Sequence, residues 1–287
     1  MPSADVDVRD LDALDLPTEP PTRSRARRIA GTAGPPLLAL LVLLAIWTAV
    51  AAMHVKPSYV LPSPSSVWSS LSDQWSQGNV QRAIWGSLHR AIFGFALSIA
   101  IATPIGLVIG RFPLLRRGLQ PLISGLQSLP SVAWVPAAII WFGLTDRAIY
   151  TVVLLGAVPS IINGTLSGMD QVPPLFLRVG RVLGARGLTL ARLVLLPAAM
   201  PTYLAGLKQG WAFSWRSLMA AELIARSPDL GLGLGQLLDN GRELSDMSLV
   251  FASILLILFV GIVVELGLFA PVERRILRNR GLGGGRG

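Results

Sequence analysis

Apolar residues in this chain run in long unbroken blocks, and blocks of that length leave few folds open. Stretches 37–50, 91–110 and 249–264 contain no charged residue. Such blocks are not the interrupted apolar stripe of an amphipathic helix. A membrane-crossing helix needs about 20 apolar residues, and 287 residues provide for several. Charged residues make up 14% of the chain, against about 25% in soluble domains. The expected fold class is therefore all-α, a polytopic membrane protein.

Six spans are predicted, over residues 36–55, 88–110, 119–142, 148–166, 198–224 and 249–269. Arginine placement supports the even number. Arg23, Arg25, Arg27 and Arg28 precede the first span. Arg111, Arg116 and Arg117 lie between the second and third. Arg178, Arg181, Arg186 and Arg192 lie between the fourth and fifth, and Arg274, Arg275, Arg278, Arg280 and Arg286 follow the sixth. All fall on one side of a six-span chain. The other side carries only Lys56, Arg82, Arg147, Arg226 and Arg242. Cytoplasmic loops are the ones enriched in Lys and Arg, so both termini are expected in the cytoplasm. The net charge of +9 is then a topology signal, and no nucleic-acid surface is needed to explain it.

Residues 1–34 hold acidic residues, prolines and then the first arginines, with no apolar periodicity. They are expected to form a disordered cytoplasmic tail. A cleaved signal peptide would begin with its basic residues; here Asp5, Asp7 and Asp10 come first. The first apolar run is thus expected to be retained. The transmembrane region is assigned to 35–272 and a basic cytoplasmic tail to 273–287.

On the outer side, Val67, Trp68, Leu71 and Trp75 recur at helical spacing. Both an interfacial helix and a helix packed on the protein satisfy that pattern. Gly231, Gly233 and Gly235 form a run that lacks the lysine and hydroxyl of a phosphate-binding loop. A turn beside a gate is the expected role.

Catalysis has little to work with. There is no cysteine, which excludes thiolate chemistry, disulfides and cysteine-ligated metal. His54 and His89 lie in separate segments, and Asp170 and Glu222 have no partner at useful spacing. No catalytic residue and no metal site are assigned, and an enzyme is not expected.

The informative segment is the loop 170–197. It contains Arg178-Val179-Gly180-Arg181, then Gly184-Ala185-Arg186-Gly187, and ends on Val194-Leu195-Leu196-Pro197. This resembles the EAA loop of bacterial binding-protein-dependent importers. Gly184 falls four residues after Gly180, where the pattern has its second alanine, and Pro197 closes the hydrophobic-x-Leu-Pro element at the required distance. Arg178 stands where the family usually has an acidic residue, and Val179 and Gly180 replace the two alanines.

The likeness extends over roughly residues 55–275. Leu61-Pro62-Ser63-Pro64, Ser87-Leu88-His89-Arg90, Leu129-Pro130-Ser131, Trp141-Phe142-Gly143, Ala221-Glu222 and Gly231-Leu232-Gly233 are similar to the nitrate/sulfonate/taurine permease family, most to its aliphatic-sulfonate members. The resemblance implies a type I ABC importer permease fold. It also implies partners: two cytoplasmic ATP-binding subunits, a second permease copy in a homodimer, an extracytoplasmic substrate-binding protein and the lipid bilayer. ATP would be bound by the partner ATPase, with no cofactor in this chain. Arg178, Arg181, Gly184, Ala185, Arg186, Gly187 and Pro197 are the expected ATPase-coupling residues. Taurine, nitrate and thiamine-precursor permeases share these features, so the solute stays open.

Charged groups inside spans are costly and tend to face a cavity. Lys208, Trp211, Trp215 and Glu222 share one helical face of the fifth span, with Arg216 beside it, and Arg90 lies in the second. These are the candidate lining of a path for a small anion. Competing roles are snorkelling for Lys208, carboxylate pairing for Arg90 and Arg216, and core packing for the tryptophans. A stand-alone channel or secondary transporter would be favoured by an inverted repeat, and none is evident.

Overall fold

A computed structural model of the chain describes residues 25–53, 57, 59–227 and 230–278. Residues 1–24 of the tail expected at 1–34, the terminal stretch 279–287, His54, Lys56 and Asp229 lie outside the described residues. The chain divides into two units, Met1–Val55 and Lys56–Gly287.

The first unit contains α1 (Arg25–Ala52). This helix takes in residues 25–34, which the sequence reading left in the tail. Its apolar part, Leu38–Ala52, is shorter than a full span.

The second unit begins with α2 (Pro64–Ser76), whose N-cap Ser63 accepts the Ser66 amide. Next come α3 (Asn79–Arg111), α4 (Pro113–Ser128), a 3₁₀ turn (Ser131–Trp134), α5 (Val135–Phe142) and α6 (Asp146–Asp170). After these follow α7 (Pro174–Val182), α8 (Gly187–Leu190), a π segment (Ala191–Leu195) and α9 (Leu196–Ile224). The unit closes with α10 (Leu234–Glu243), α11 (Met247–Val264), a second π segment (Glu265–Phe269) and α12 (Ala270–Arg278).

Among the described residues, the predicted apolar runs are helical over most of their length. By length and composition α3, α6 and the continuous stretch Met247–Ile276 can each cross a membrane. The third run departs from expectation. It is two helical pieces, Pro113–Ser128 and Ser131–Phe142, meeting at 95°. Pro130 forces the preceding Leu129 into extended backbone, which stops α4. Beside the break, side chains tie α4 to α6: Asn163 donates to Gln127 at 2.6 Å, and Gln127 to Ser160 at 3.4 Å.

At the centre stands α6, with 61% of its apolar window buried against 33% for α3 and for the α11 stretch. Glycine makes this possible. A Cβ on Gly164 would lie 2.4 Å from the Gly206 Cα, so α6 and α9 cross backbone on backbone. In lipid no hydrophobic force drives helices together, and such close approach supplies the packing instead. α3 packs on another side of α6, where Gly106 makes room for the Thr165 side chain and Gly110 for that of Met169. The opposite surfaces are apolar and exposed. On α11 these include Leu255, Leu258 and Phe259, an arrangement suited to lipid.

Both π segments share one cause. Each ends two residues before a proline: Leu195 before Pro197, and Phe269 before Pro271. Proline has no N–H to give and its ring crowds the carbonyl four residues back. The helix widens by one residue, so the Leu196 amide reaches Ala191 and the Ala270 amide reaches Glu265.

Candidate coupling loop and polar path

The segment between α6 and α9 is a compact knob. α7 ends in a Schellman turn: the Ala185 amide bonds the Gly180 carbonyl at 2.9 Å, and the Gly184 amide bonds Arg181 at 3.0 Å. Gly184 adopts φ +86°, which an L side chain rarely tolerates. Gly187 is also left-handed, so the chain reverses within a few residues. Gly180 is buried where the returning chain crosses α7. A Cβ there would approach Leu190 to 2.7 Å and Val194 to 2.9 Å. Glycine in place of the usual alanine therefore fits the bulky residues opposite.

Pro197 opens α9 and sets the preceding π segment. Arg178, Arg181 and Arg186 are exposed on the knob, with Ala185 half-buried. Two apolar residues that sequence reasoning passed over dominate its tip: Val182 is 86% exposed and Leu183 80%. An apolar tip ringed by arginines is a docking feature in form. Only the tightness of the turn at Gly184 betrays it in sequence, because it thrusts its neighbours outward.

The base of the knob is braced. Arg116 of α4 donates to both carboxylate oxygens of Asp170 at the end of α6, one at 2.6 Å. That guanidinium holds the Asp170 carboxyl below the usual carboxylate range.

The candidate path residues separate into distinct groups. Arg90 and Glu222 meet in a buried network near the far ends of α3 and α9. Arg90 Nε donates to Asp146 at 2.7 Å, Nη1 to Glu222 at 3.2 Å, and Nη2 to the Leu230 carbonyl. Ser87 donates to Glu222 Oε2 at 2.6 Å, and the Gly235 amide donates to the same oxygen at 3.1 Å. Glu222 is fully buried.

The glycine run explains itself here. A Cβ on Gly233 would lie 2.5 Å from the Glu222 carboxylate carbon, and one on Gly235 would lie 2.7 Å from the Glu222 Cβ. The run folds over a carboxylate of its own chain, at the N-terminus of α10, where helix amides favour negative charge. Arg90 and Glu222 thus fill the pairing role weighed against path lining.

Lys208 is also paired, to Glu265 at 2.8 Å and Glu273 at 3.0 Å, fastening α9 to the second π segment and α12. Trp211 and Trp215 stack with ring centroids 6.1 Å apart, and Trp211 meets Phe95 edge-on at 5.4 Å. Both indoles are buried in the core. Arg216 alone of the six candidates points outward.

Beyond the Glu222 network, a cavity of about 490 Å³ opens between Arg226, Gly231, Gln236 and Asn240. Arg226 bonds Glu243 and Asn240 and lies 3.0 Å from the buried Asp239. Its guanidinium lowers the Glu243 carboxyl. Among the described residues, no cluster of His, Cys, Asp and Glu suits a metal ion.

Comparison with known proteins agrees with this architecture. The family described as binding-protein-dependent transport system inner membrane component matches residues 102–278. The Escherichia coli taurine transport system permease protein TauC is 30% identical over 242 residues, covering 83% of this chain and 86% of that one. The Bacillus subtilis putative aliphatic sulfonates transport permease protein SsuC is 28% identical over 244 residues, 85% and 87% of the two chains. A solved inward-facing structure of the MetNI methionine ABC transporter superposes with a TM-score of 0.61 at 16% identity, covering 70% of this chain and 97% of that chain, which shows a shared fold. With a family match over more than half its length and the same helical scaffold, this chain belongs to the binding-protein-dependent inner membrane components and is a permease subunit of an ABC importer.

Proposed function

We propose that this permease carries a small organic anion of the sulfonate class into the cell. The observation that supports the coupling half is the knob at Gly184, a rigid turn that presents Val182 and Leu183 at the end of the bundle. In this reading, Arg178, Arg181, Gly184, Ala185, Arg186, Gly187 and Pro197 form the surface that engages a cytoplasmic ATPase. The partner subunits bind ATP, and the knob transmits their closure to α6 and α9. Two ATPases, a second copy of this chain and an extracytoplasmic binding protein complete the importer. Both termini face the cytoplasm in this reading, which the arginine distribution supports.

Sulfonate is supported by the names of the taurine and aliphatic-sulfonate relatives, taurine being itself a sulfonate. Arg178 replaces an acidic residue of the resembled pattern, so the cognate ATPase should present an acidic group opposite it. The test is ATP-driven uptake of labelled alkanesulfonate by the assembled complex in proteoliposomes. Uptake that needs ATP and saturates supports the proposal; absence of uptake for alkanesulfonate and taurine, with another solute carried, removes it. Arg178→Glu should weaken ATPase association, and unchanged association would overturn the predicted contact.

A further inference from the structure

The candidate path residues include three cations, Arg90, Lys208 and Arg216. Arg90 is held by two carboxylates and a carbonyl, and Lys208 by two carboxylates. Arg216 has no carboxylate partner among the described residues. Its Nε donates to the Ala212 carbonyl at 3.1 Å, and its guanidinium lies 4.7 Å from the Phe213 ring centroid. Those contacts fix the group in place and leave its Nη groups with no acceptor among the described residues.

Depth makes the exposure significant. At 1.5 Å per residue, Arg216 sits about 12 Å from the Ile224 end of α9 and about 30 Å from the Leu196 end. That places it within the apolar thickness of a bilayer, about 30 Å. A charge there faces protein or water rather than lipid. Its neighbours agree. The exposed face of α9 is Ala205, Gln209, Ala212 and Arg216, at steps of four, three and four. The exposed face of α11, by contrast, is Leu255, Leu258, Phe259 and Ile262.

We infer that the Ala205–Gln209–Ala212–Arg216 face of α9 lines the water-filled translocation path, and that Arg216 is its anion-selecting residue. The Nη pair matches the paired oxygens of a sulfonate or another oxyanion, and the Phe213 ring keeps the fork aimed outward. Small residues at 205 and 212 leave room for the solute beside the helix. The inference deepens the proposed anion import and rests on it for the identity of the cargo, but not for the position of the water.

The chain has no cysteine, so single cysteines report cleanly. Ala212→Cys and Leu255→Cys are assembled with the cognate ATPase and binding protein in proteoliposomes. Each is then reacted with methanethiosulfonates bearing a sulfonate or a trimethylammonium group. Ala212→Cys should react at least tenfold faster than Leu255→Cys, with the sulfonate reagent favoured. Adding Arg216→Gln should lower the sulfonate-to-ammonium rate ratio about tenfold, and Arg216→Lys should restore much of it. In the complex with no cysteine added to this chain, Arg216→Gln should raise the KM for alkanesulfonate about ten- to a hundredfold, at an unchanged yield of assembled complex. Equal reactivity at 212 and 255, or a rate ratio indifferent to Arg216, would overturn the inference. A wild-type complex that carries no anion while the rate ratios behave as expected would instead remove the proposed cargo and leave the path in place.

Discussion

Replacing Gly164 by alanine sets a methyl carbon 2.4 Å from the Gly206 Cα, with the Gly206 carbonyl carbon and nitrogen at 3.3 and 3.4 Å. Carbon atoms rest at about 3.5–4.0 Å, so α6 and α9 must part by roughly 1–1.5 Å. The obstructing atoms are backbone and cannot turn aside. Overpacking of this kind costs about 1–3 kcal/mol, with the upper half expected here. Alanine regains about 1 kcal/mol of helix propensity, leaving a net loss of about 1–2 kcal/mol. The measurement is the unfolding midpoint of the purified permease in detergent. Gly125 of α4 has nothing within 4 Å of a built Cβ, so Gly125→Ala is the control and should gain about 0.5–1 kcal/mol. Gly164→Ala with Gly206→Ala should cost less than the sum, since one separation relieves both clashes. A Gly164→Ala protein as stable as the Gly125→Ala control would refute the backbone crossing.

Other perturbations test other parts. Glu222→Ala removes a buried partner of Arg90 and the acceptor for Ser87 and Gly235, and should destabilise by about 3–5 kcal/mol; Glu222→Gln should cost less in the same unfolding assay. Gly184→Val must hold a β-branched residue at φ +86°, at about 1–2 kcal/mol of local strain or more. The knob should loosen, and co-purification with the ATPase should fall, while Gly184→Asn retains it. Asp170 gains stability from Arg116 that is fully present above its unfolded value near 3.9 and is lost as pH falls through its lowered folded value. The pair is half-exposed, so the effect stays within about 1 kcal/mol. Arg116→Gln should flatten the thermal-midpoint profile below about pH 4 and cost within that same small amount at pH 7.

The all-helical, apolar character of the chain was legible because apolar runs are local. Gly184 was legible for the same reason: a tight turn needs its residue in place. The pairing of Arg90 was not. Asp146 and Glu222 lie 56 and 132 residues further along, and no local pattern connects them. Glu222 was therefore read without its contacts to Ser87, Arg90 and the Gly235 amide at the start of α10. The break in the third run was partly visible at Pro130, yet hydropathy continues smoothly across it and gave no sign of a 95° bend. Val182 and Leu183 were missed because exposure is a property of the returning chain, and Arg216 could be separated from Arg90 and Lys208 only once their partners were known.

The Glu222 network also fixes an order of events during synthesis. Chains enter the membrane N-terminal part first. Arg90 and Asp146 emerge on α3 and α6 well before α9 is made, and can neutralise each other while they wait. Glu222 then arrives at a site where Ser87 and Arg90 already stand, and the glycine run that covers it is translated next. A late-arriving acid thus becomes the latch that holds the last third of the chain to the first.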